Sequence, residues 1–120
     1  MYQMTETEFK FVELIWSKEP IGSGELVKLC VDRFDWKKST TYTFIKKLCE
    51  QGILQNEQAV VTSRISREMY LQPQGEEFVA KTFEGSLPKM IAAFIDRKRL
   101  SWAQIEEIEK MIEDYKSEVK

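Results

Sequence analysis

The stretch from Trp36 to Leu54, WKKSTTYTFIKKLCEQGIL, most limits what this chain can fold into, because it reads as one helix with two different faces. At ~100° per residue, Thr41, Phe44, Ile45 and Leu48 gather on one side. Ser39, Thr43 and Lys46 gather opposite, flanked by Thr40, Tyr42 and Lys47. The first face belongs to a core. The second carries short hydroxyls, an aromatic ring and lysines: ammonium groups suit phosphates, and hydroxyls and threonine methyls suit base edges in a DNA groove. Ser39 is placed to cap the helix and Gly52 to end it. An ordinary surface helix also turns polar residues outward, so the flanking pattern has to decide.

Two helical patterns precede this segment. The first runs from Thr5 to Ser17, opened by Thr5 with Glu8 at capping-box spacing. Phe9, Phe11, Val12, Leu14, Ile15 and Trp16 leave only Lys10 and Glu13 as a polar strip, as expected of the central helix of a domain. The second follows the Pro20 and Gly22 turn signals and carries Leu26, Val27, Leu29, Cys30 and Phe34, with either Gly22 or Ser23 as its N-cap. After Gly52, Ile53 to Glu57 and Val60 to Ile65 read as two short strands turning at Gln58 and Ala59, without the Asn-Gly or Asp-Gly pair typical of such turns. Arg64 and Arg67 fall on or just past the second strand, either as cations for phosphate or as ordinary solvated charge. Helix, helix, helix, strand, strand is the order of a winged helix-turn-helix.

The run Glu8-Phe9 through Trp16, then Glu25-Leu26-Val27, then Trp36, Ser39-Thr40, Thr43, Lys47-Leu48 and Gly52 resembles the BlaI/MecI/CopY family of penicillinase, methicillin-resistance and copper-transport repressors. The resemblance covers nearly the whole chain, and its most specific part is the W-x-x-S-T-x-x-T-x-x-x-[KR]-L-x-x-x-G pattern of the third helix. It implies a cytoplasmic bacterial homodimer that binds inverted-repeat operators built on TACA and TGTA halves. It places base-reading and phosphate contacts at Ser39, Thr40, Tyr42, Thr43 and Lys47. Many members carry Arg where this chain has Tyr42, a departure that leaves the exact operator sequence open. In that family a sensor-linked protease often cuts an Asn-Phe bond in the dimerisation domain; the matching bond here is Ala93-Phe94, without the Asn.

The formal net charge of -2 looks wrong for a DNA binder until it is divided. Residues 1 to 71 hold ten Lys or Arg against ten Asp or Glu, and residues 72 to 120 hold eight against ten. Within the first part, Arg33 to Lys47 carries five positive residues and one negative, Asp35, a local +4. DNA affinity follows such a cluster rather than the overall balance. The expected DNA-contacting set is therefore Lys37, Lys38, Ser39, Thr40, Tyr42, Thr43, Lys46, Lys47 and Arg64.

Other classes find little support. The chain has no histidine and no paired-cysteine motif, so neither a zinc site nor a copper-thiolate cluster can be assembled in a usual form, and no cofactor is expected. Copper-responsive members of the resembled family carry C-x-C pairs near the C-terminus, which this chain lacks. Cys30 and Cys49 fall where small core residues fit. Without histidine the common acid-base and nucleophile arrangements are missing, and no glycine-rich phosphate loop is present. No apolar run approaches the ~18 residues of a spanning helix, and the N-terminus lacks a basic region followed by an apolar one, so a soluble, unprocessed chain is expected.

From Pro73 onward the pattern is helical again. Phe78, Val79, Thr82 and Phe83 share one spacing over residues 73 to 84; Gly85 and Ser86 break it; Leu87, Met90, Ile91, Phe94 and Ile95 form the next stripe, with Pro88 in its first turn. Residues 66 to 72 fit either an extended wing strand or an early helix. A last helix opens at Ser101 with Gln104 completing a capping box and carries Ile105, Ile108, Ile112, Tyr115 and Val119, spaced as a seam for another helix. That seam can pack on the chain's own helices or on a partner. Three short helices bury too little of their own surface to hide so many aromatic and aliphatic residues, which favours a homodimer through Phe83, Met90, Ile91, Phe94, Ile105, Ile108, Ile112 and Tyr115.

The expected architecture is thus mainly α with a small β-hairpin wing: a winged helix-turn-helix domain over 1-71 and a helical dimerisation domain over 72-120. The expected activity is repression by occupying a palindromic operator, with no reaction catalysed. A winged helix used only for protein contact would keep the core face of the third helix. It would not need the Lys37, Lys38, Lys46 and Lys47 cluster.

Overall fold

The computed structural model describes residues 1-119; residue 120, the last of the expected dimerisation domain, lies outside them. The element order is α1 (Glu6–Lys18), β1 (Ile21–Gly22), α2 (Ser23–Phe34), α3 (Lys38–Glu50), β2 (Leu54–Glu57), β3 (Val60–Ser63), α4 (Arg67–Thr82), α5 (Leu87–Asp96) and α6 (Trp102–Val119). The chain divides into two compact units, Met1–Pro73 and a second from Gln74 onward. Both this division and the expected one at 71/72 fall inside α4.

In the first unit α1 is the central helix. Thr5 and Glu8 form the reciprocal capping box: the Glu8 N–H donates to Thr5 Oγ1 at 3.1 Å and the Thr5 N–H to Glu8 Oε1 at 2.8 Å. Phe11, Val12, Leu14 and Ile15 are buried against Leu26 and Cys30 of α2, Ile45 and Leu48 of α3, and Ile53, Leu54 and Val61 of the sheet. A satellite group forms where Phe9 stacks on Tyr70 with ring centroids 5.7 Å apart and the Trp16 indole N–H donates to the Ile65 carbonyl at 3.0 Å.

The sheet has three strands in the order β1-β3-β2, one more than the expected hairpin. Two residues are too few to leave a periodic signature, and β1 exists only because Ile21 pairs with Val61 and Gly22 with Val60. Strands β2 and β3 pair antiparallel from Leu54↔Ser63 to Glu57↔Val60. Gln58 and Ala59 between them both have positive φ, 51° and 64°. That is the two-residue primed turn whose twist suits a hairpin, made here without the glycine or asparagine that usually makes it.

Helix α2 has Gly22 as its N-cap and ends at Asp35, whose N–H still reaches the Val31 carbonyl at 3.1 Å and whose left-handed conformation (φ 55°) turns the Trp36 N–H back to the Cys30 carbonyl at 3.4 Å. Helix α3 begins earlier than expected. Its N-cap is Lys37, which gives no side-chain cap bond, and Ser39 lies inside the first turn. The reason is nonlocal: Trp36 is held against Phe44, Phe34 and Phe11 at centroid distances of 4.4, 4.8 and 5.5 Å. That cluster fixes the chain's entry into the helix and offsets the ~1 kcal/mol a side-chain cap contributes. The exit follows the local rule. Gly52 at φ 78° directs its own N–H to the Cys49 carbonyl at 3.1 Å and that of Ile53 to Leu48 at 2.9 Å, with Ile53 and Leu48 both buried.

Residues 67-72 are helical. Ser66 Oγ accepts from the Met69 N–H at 3.1 Å and opens α4, and Pro73 lies within it. In the second unit Ser86 caps α5 through the Lys89 N–H, with Pro88 in the first turn, and Ser101 and Gln104 form the expected box at the start of α6. No described residue of this unit is buried.

Candidate nucleic-acid interface

Helix α3 has the two faces its sequence demands. Thr41, Ile45 and Leu48 are buried, while Ser39, Tyr42, Thr43 and Lys46 are exposed and Thr40 is half-buried between them. Thr43 Oγ1 donates to the Ser39 carbonyl one turn back at 2.9 Å. Its proton is thereby spent, and the side chain offers outward a hydroxyl acceptor and a methyl group.

Tyr42 is steadied from two sides. Its hydroxyl lies 3.4 Å from Ser23 Oγ at the start of α2, and the Lys38 ammonium stands 5.9 Å from the ring centroid. Tyr42, Lys46 and Arg64 line one cleft of about 480 Å³ between α3 and β2, with Gln55 and Asn56 on its strand side. Arg64 is therefore at the foot of the hairpin, one residue past β3, where its N–H donates to the Ile53 carbonyl at 2.8 Å. Lys37, Lys38, Lys46 and Arg64 make no ion pair among the described residues. Arg67 is engaged: its guanidinium reaches Glu13 at 3.5 Å and lies 6.0 Å from the Phe9 ring centroid.

One expected DNA-contacting residue is engaged within the chain. Lys47, read as a phosphate ligand, places its ammonium 3.0 Å from Glu8 Oε2 and 5.8 Å from the Tyr2 ring centroid. Glu8 is 2% exposed and also accepts from the Tyr2 hydroxyl at 2.8 and 3.0 Å. Burial pushes the Glu8 carboxyl up, but the Thr5 N–H, the Tyr2 hydroxyl and Lys47 together outweigh it and hold it below the usual range. Hydrogen bonding to Glu8, then to Tyr2, raises Lys47 above an ordinary lysine. The sequence held a signal for this pair: Glu8 falls on the same helical stripe as Phe11, Val12 and Ile15, and an acid on a buried stripe calls for a cation.

The second unit presents the expected dimer residues without burying any. Phe83, Met90, Ile91, Ile105 and Ile108 are half-buried, and Phe94, Ile112 and Tyr115 are exposed, beside Trp102 at 74%. Among the described residues no helix is long and apolar enough to cross a membrane, and no group of three or more His, Cys, Asp or Glu is placed to hold a metal ion. Burial raises both the Cys30 and Cys49 thiols.

Three helices, the third with a cationic, hydroxyl-bearing outer face, and a small antiparallel sheet define a winged helix-turn-helix protein. A family model described as penicillinase repressor matches residues 4–114. The chain belongs to that family, one of transcriptional repressors. It is similar to the penicillinase repressor of Bacillus licheniformis, 24% identical over 98% of this chain and 95% of that one. It is also similar to the methicillin resistance regulatory protein MecI of Staphylococcus aureus, 21% identical over 92% of this chain and 94% of that one. Among solved structures it resembles the monomeric form of Bacillus licheniformis BlaI in complex with the blaP half-operator. The TM-score there is 0.51, with 24% identity over 59% of this chain and 92% of that one.

Proposed function

We propose that this chain is a transcriptional repressor that reads a double-stranded inverted-repeat operator of the TACA/TGTA type as a homodimer. The single observation that carries the reading is the outer face of α3. Thr40, Tyr42, Thr43 and Lys46 stand exposed or half-exposed there, beside Lys37, Lys38 and Arg64, which make no ion pair among the described residues. Lysines and Arg64 position the protein on phosphates, and the hydroxyls and methyls of α3 distinguish base edges in the major groove. Repression is steric: the occupied site is closed to the transcription machinery, and no bond is made or broken.

The homodimer forms through the second unit, whose apolar residues lack burial within one chain. Joining two reading heads makes the second half-site contact effectively intramolecular, so an inverted repeat is bound far more tightly than one half. The Ala93-Phe94 peptide lies inside α5, so a protease gains access to it only when that helix opens. Occupancy and release of DNA in this reading need no cofactor and no membrane.

The test is the affinity of the full chain, by fluorescence anisotropy across a salt series, for three duplexes: a TACA/TGTA inverted repeat, the DNA upstream of its own gene, and a shuffled control. At least one specific duplex should bind on the order of a thousandfold more tightly than the control, with affinity falling steeply as salt rises. Equal affinity for all three, or binding indifferent to salt, would contradict the proposal.

A further inference from the structure

Glu8 is the only buried charged side chain among the described residues, and neither folding of α1 nor the DNA-facing chemistry requires it to be there. A capping box can be made by a solvent-exposed glutamate, and burying a carboxylate is costly unless it is paired. What burial achieves is a directional tie between helices. Glu8 on α1 holds Lys47 in the third turn of α3 at 3.0 Å, and the Tyr2 hydroxyl closes on the same carboxylate at 2.8 Å. The N-terminal segment is itself anchored, because the Met4 N–H donates to the Tyr70 hydroxyl at 2.7 Å.

The other attachments of α3 are the packing of Thr41, Phe44, Ile45 and Leu48 on the core and one longer polar contact, the Tyr42 hydroxyl 3.4 Å from Ser23 Oγ. Packing contacts resist separation but are weakly directional, so they leave rotation of the helix about its axis comparatively soft. The outer side chains stand roughly 5 to 6 Å from that axis, so a roll of about 10° moves their tips by about 1 Å. Hydrogen bonds to base edges tolerate only a few tenths of an ångström before weakening. An ion pair with a fixed carboxylate is the kind of contact that sets the roll.

We infer that Glu8 and Tyr2 are positioning residues for DNA reading: by holding Lys47 they fix the rotation of α3, so that Thr40, Thr43 and Lys46 meet the groove in one register. The inference rests on the proposed repressor function. It takes Lys47 out of the set of phosphate ligands and makes it the handle by which the reading helix is held.

The experiment compares wild type, Glu8→Gln, Lys47→Met, the double variant, Lys47→Arg and Tyr2→Phe in the full chain. Each is titrated against the inverted-repeat duplex and the shuffled duplex over a salt series. Glu8→Gln and Lys47→Met should each weaken binding to the repeat by roughly three- to tenfold, while the shuffled duplex and the slope of log affinity against log salt stay unchanged. The double variant should lose no more than either single one, since both break the same tie. Lys47→Arg, which keeps the ion pair, should restore repeat binding. A general loss of structure would not selectively lower the ratio of repeat to shuffled affinity.

If Lys47→Met instead flattens the salt slope by about one unit and weakens both duplexes equally while Glu8→Gln binds normally, Lys47 is a phosphate ligand and the inference is overturned. Should Glu8→Gln fail to fold, Tyr2→Phe removes only one hydroxyl, and unchanged repeat binding in that variant also overturns it. Wild type that binds neither duplex specifically would sink the proposed function as well, an outcome distinct from specific wild-type binding with indifferent variants.

Discussion

The Gln58-Ala59 turn between β2 and β3 should be improvable by a substitution that touches no other side chain. Both residues occupy the left-handed region, at φ 51° and 64°, where an ordinary L-residue is strained by roughly 1 to 2 kcal/mol. The geometry is imposed by the sheet: Glu57 must face Val60, and the Ala59 carbonyl accepts from the Ser23 N–H at 2.8 Å at the start of α2. Changing Gln58→Asn and Ala59→Gly supplies the pair that adopts this turn most readily. Glycine returns roughly 0.5 to 1 kcal/mol of that gain through the greater entropy of the unfolded chain. The net stabilisation is therefore about 1 kcal/mol, a rise of roughly 4 to 8 °C in Tm for a unit of this size. Urea and thermal unfolding of the full chain at fixed protein concentration measure it, and the urea slope should not change. A midpoint that stays put or falls would show that the turn is not held in this conformation.

Three further outcomes follow from the site and the two units. Thr43→Ala should weaken repeat-duplex binding by about 1 to 3 kcal/mol and leave shuffled DNA almost unaffected, since Thr43 faces outward with its proton already given to Ser39; equal loss on both would show that it does not read sequence. The pH dependence has two edges. Glu8 is depressed below its ordinary 4.5, so its contribution to stability is present above that value and lost as pH falls through the lower folded one. Lys47 is raised above 10.5, so its contribution is intact below that and lost as pH rises through the higher folded value. Glu8→Gln should shrink the acid edge in urea titrations, leaving what Glu77, depressed by its hydrogen bond to Lys81, contributes; an acid edge unchanged in that variant would assign it to other carboxylates. Ile108→Asp with Ile112→Asp should give a monomer by light scattering that still folds through its first-unit core; a dimer that survives both changes would exclude this seam as the interface.

How much of this was legible in the sequence depends on the range of the forces involved. The capping boxes at Thr5 and Ser101, Pro88 in the first turn of α5 and the Gly52 exit all act within a few residues, and each was visible as a spacing; Ser86 was visible only as a break, not as the cap it is. Strand β1 was not, because two residues become a strand only when β3 lies beside them. The early start of α3 depends on Trp36 meeting Phe11 and Phe44. The first turns of α4 likewise bring Tyr70 onto Phe9, a contact between segments distant in the chain. The faces of α3 were correctly separated by periodicity. Periodicity could not tell that Lys47, unlike Lys46, would be drawn to a carboxylate on another helix. Arg64 was placed at the end of the second strand, but its convergence with Lys46 and Tyr42 on one cleft needed the hairpin's register.

The central claim is that the outer face of α3 is where DNA is read, and backbone amide chemical shifts on adding the inverted-repeat duplex test it most directly. The account predicts that the changes concentrate at residues 37-46 and at Arg64, with the shuffled duplex shifting the cationic positions but sparing Thr40 and Thr43. Shifts confined to α5 and α6, with α3 unmoved by a duplex that demonstrably binds, would contradict it.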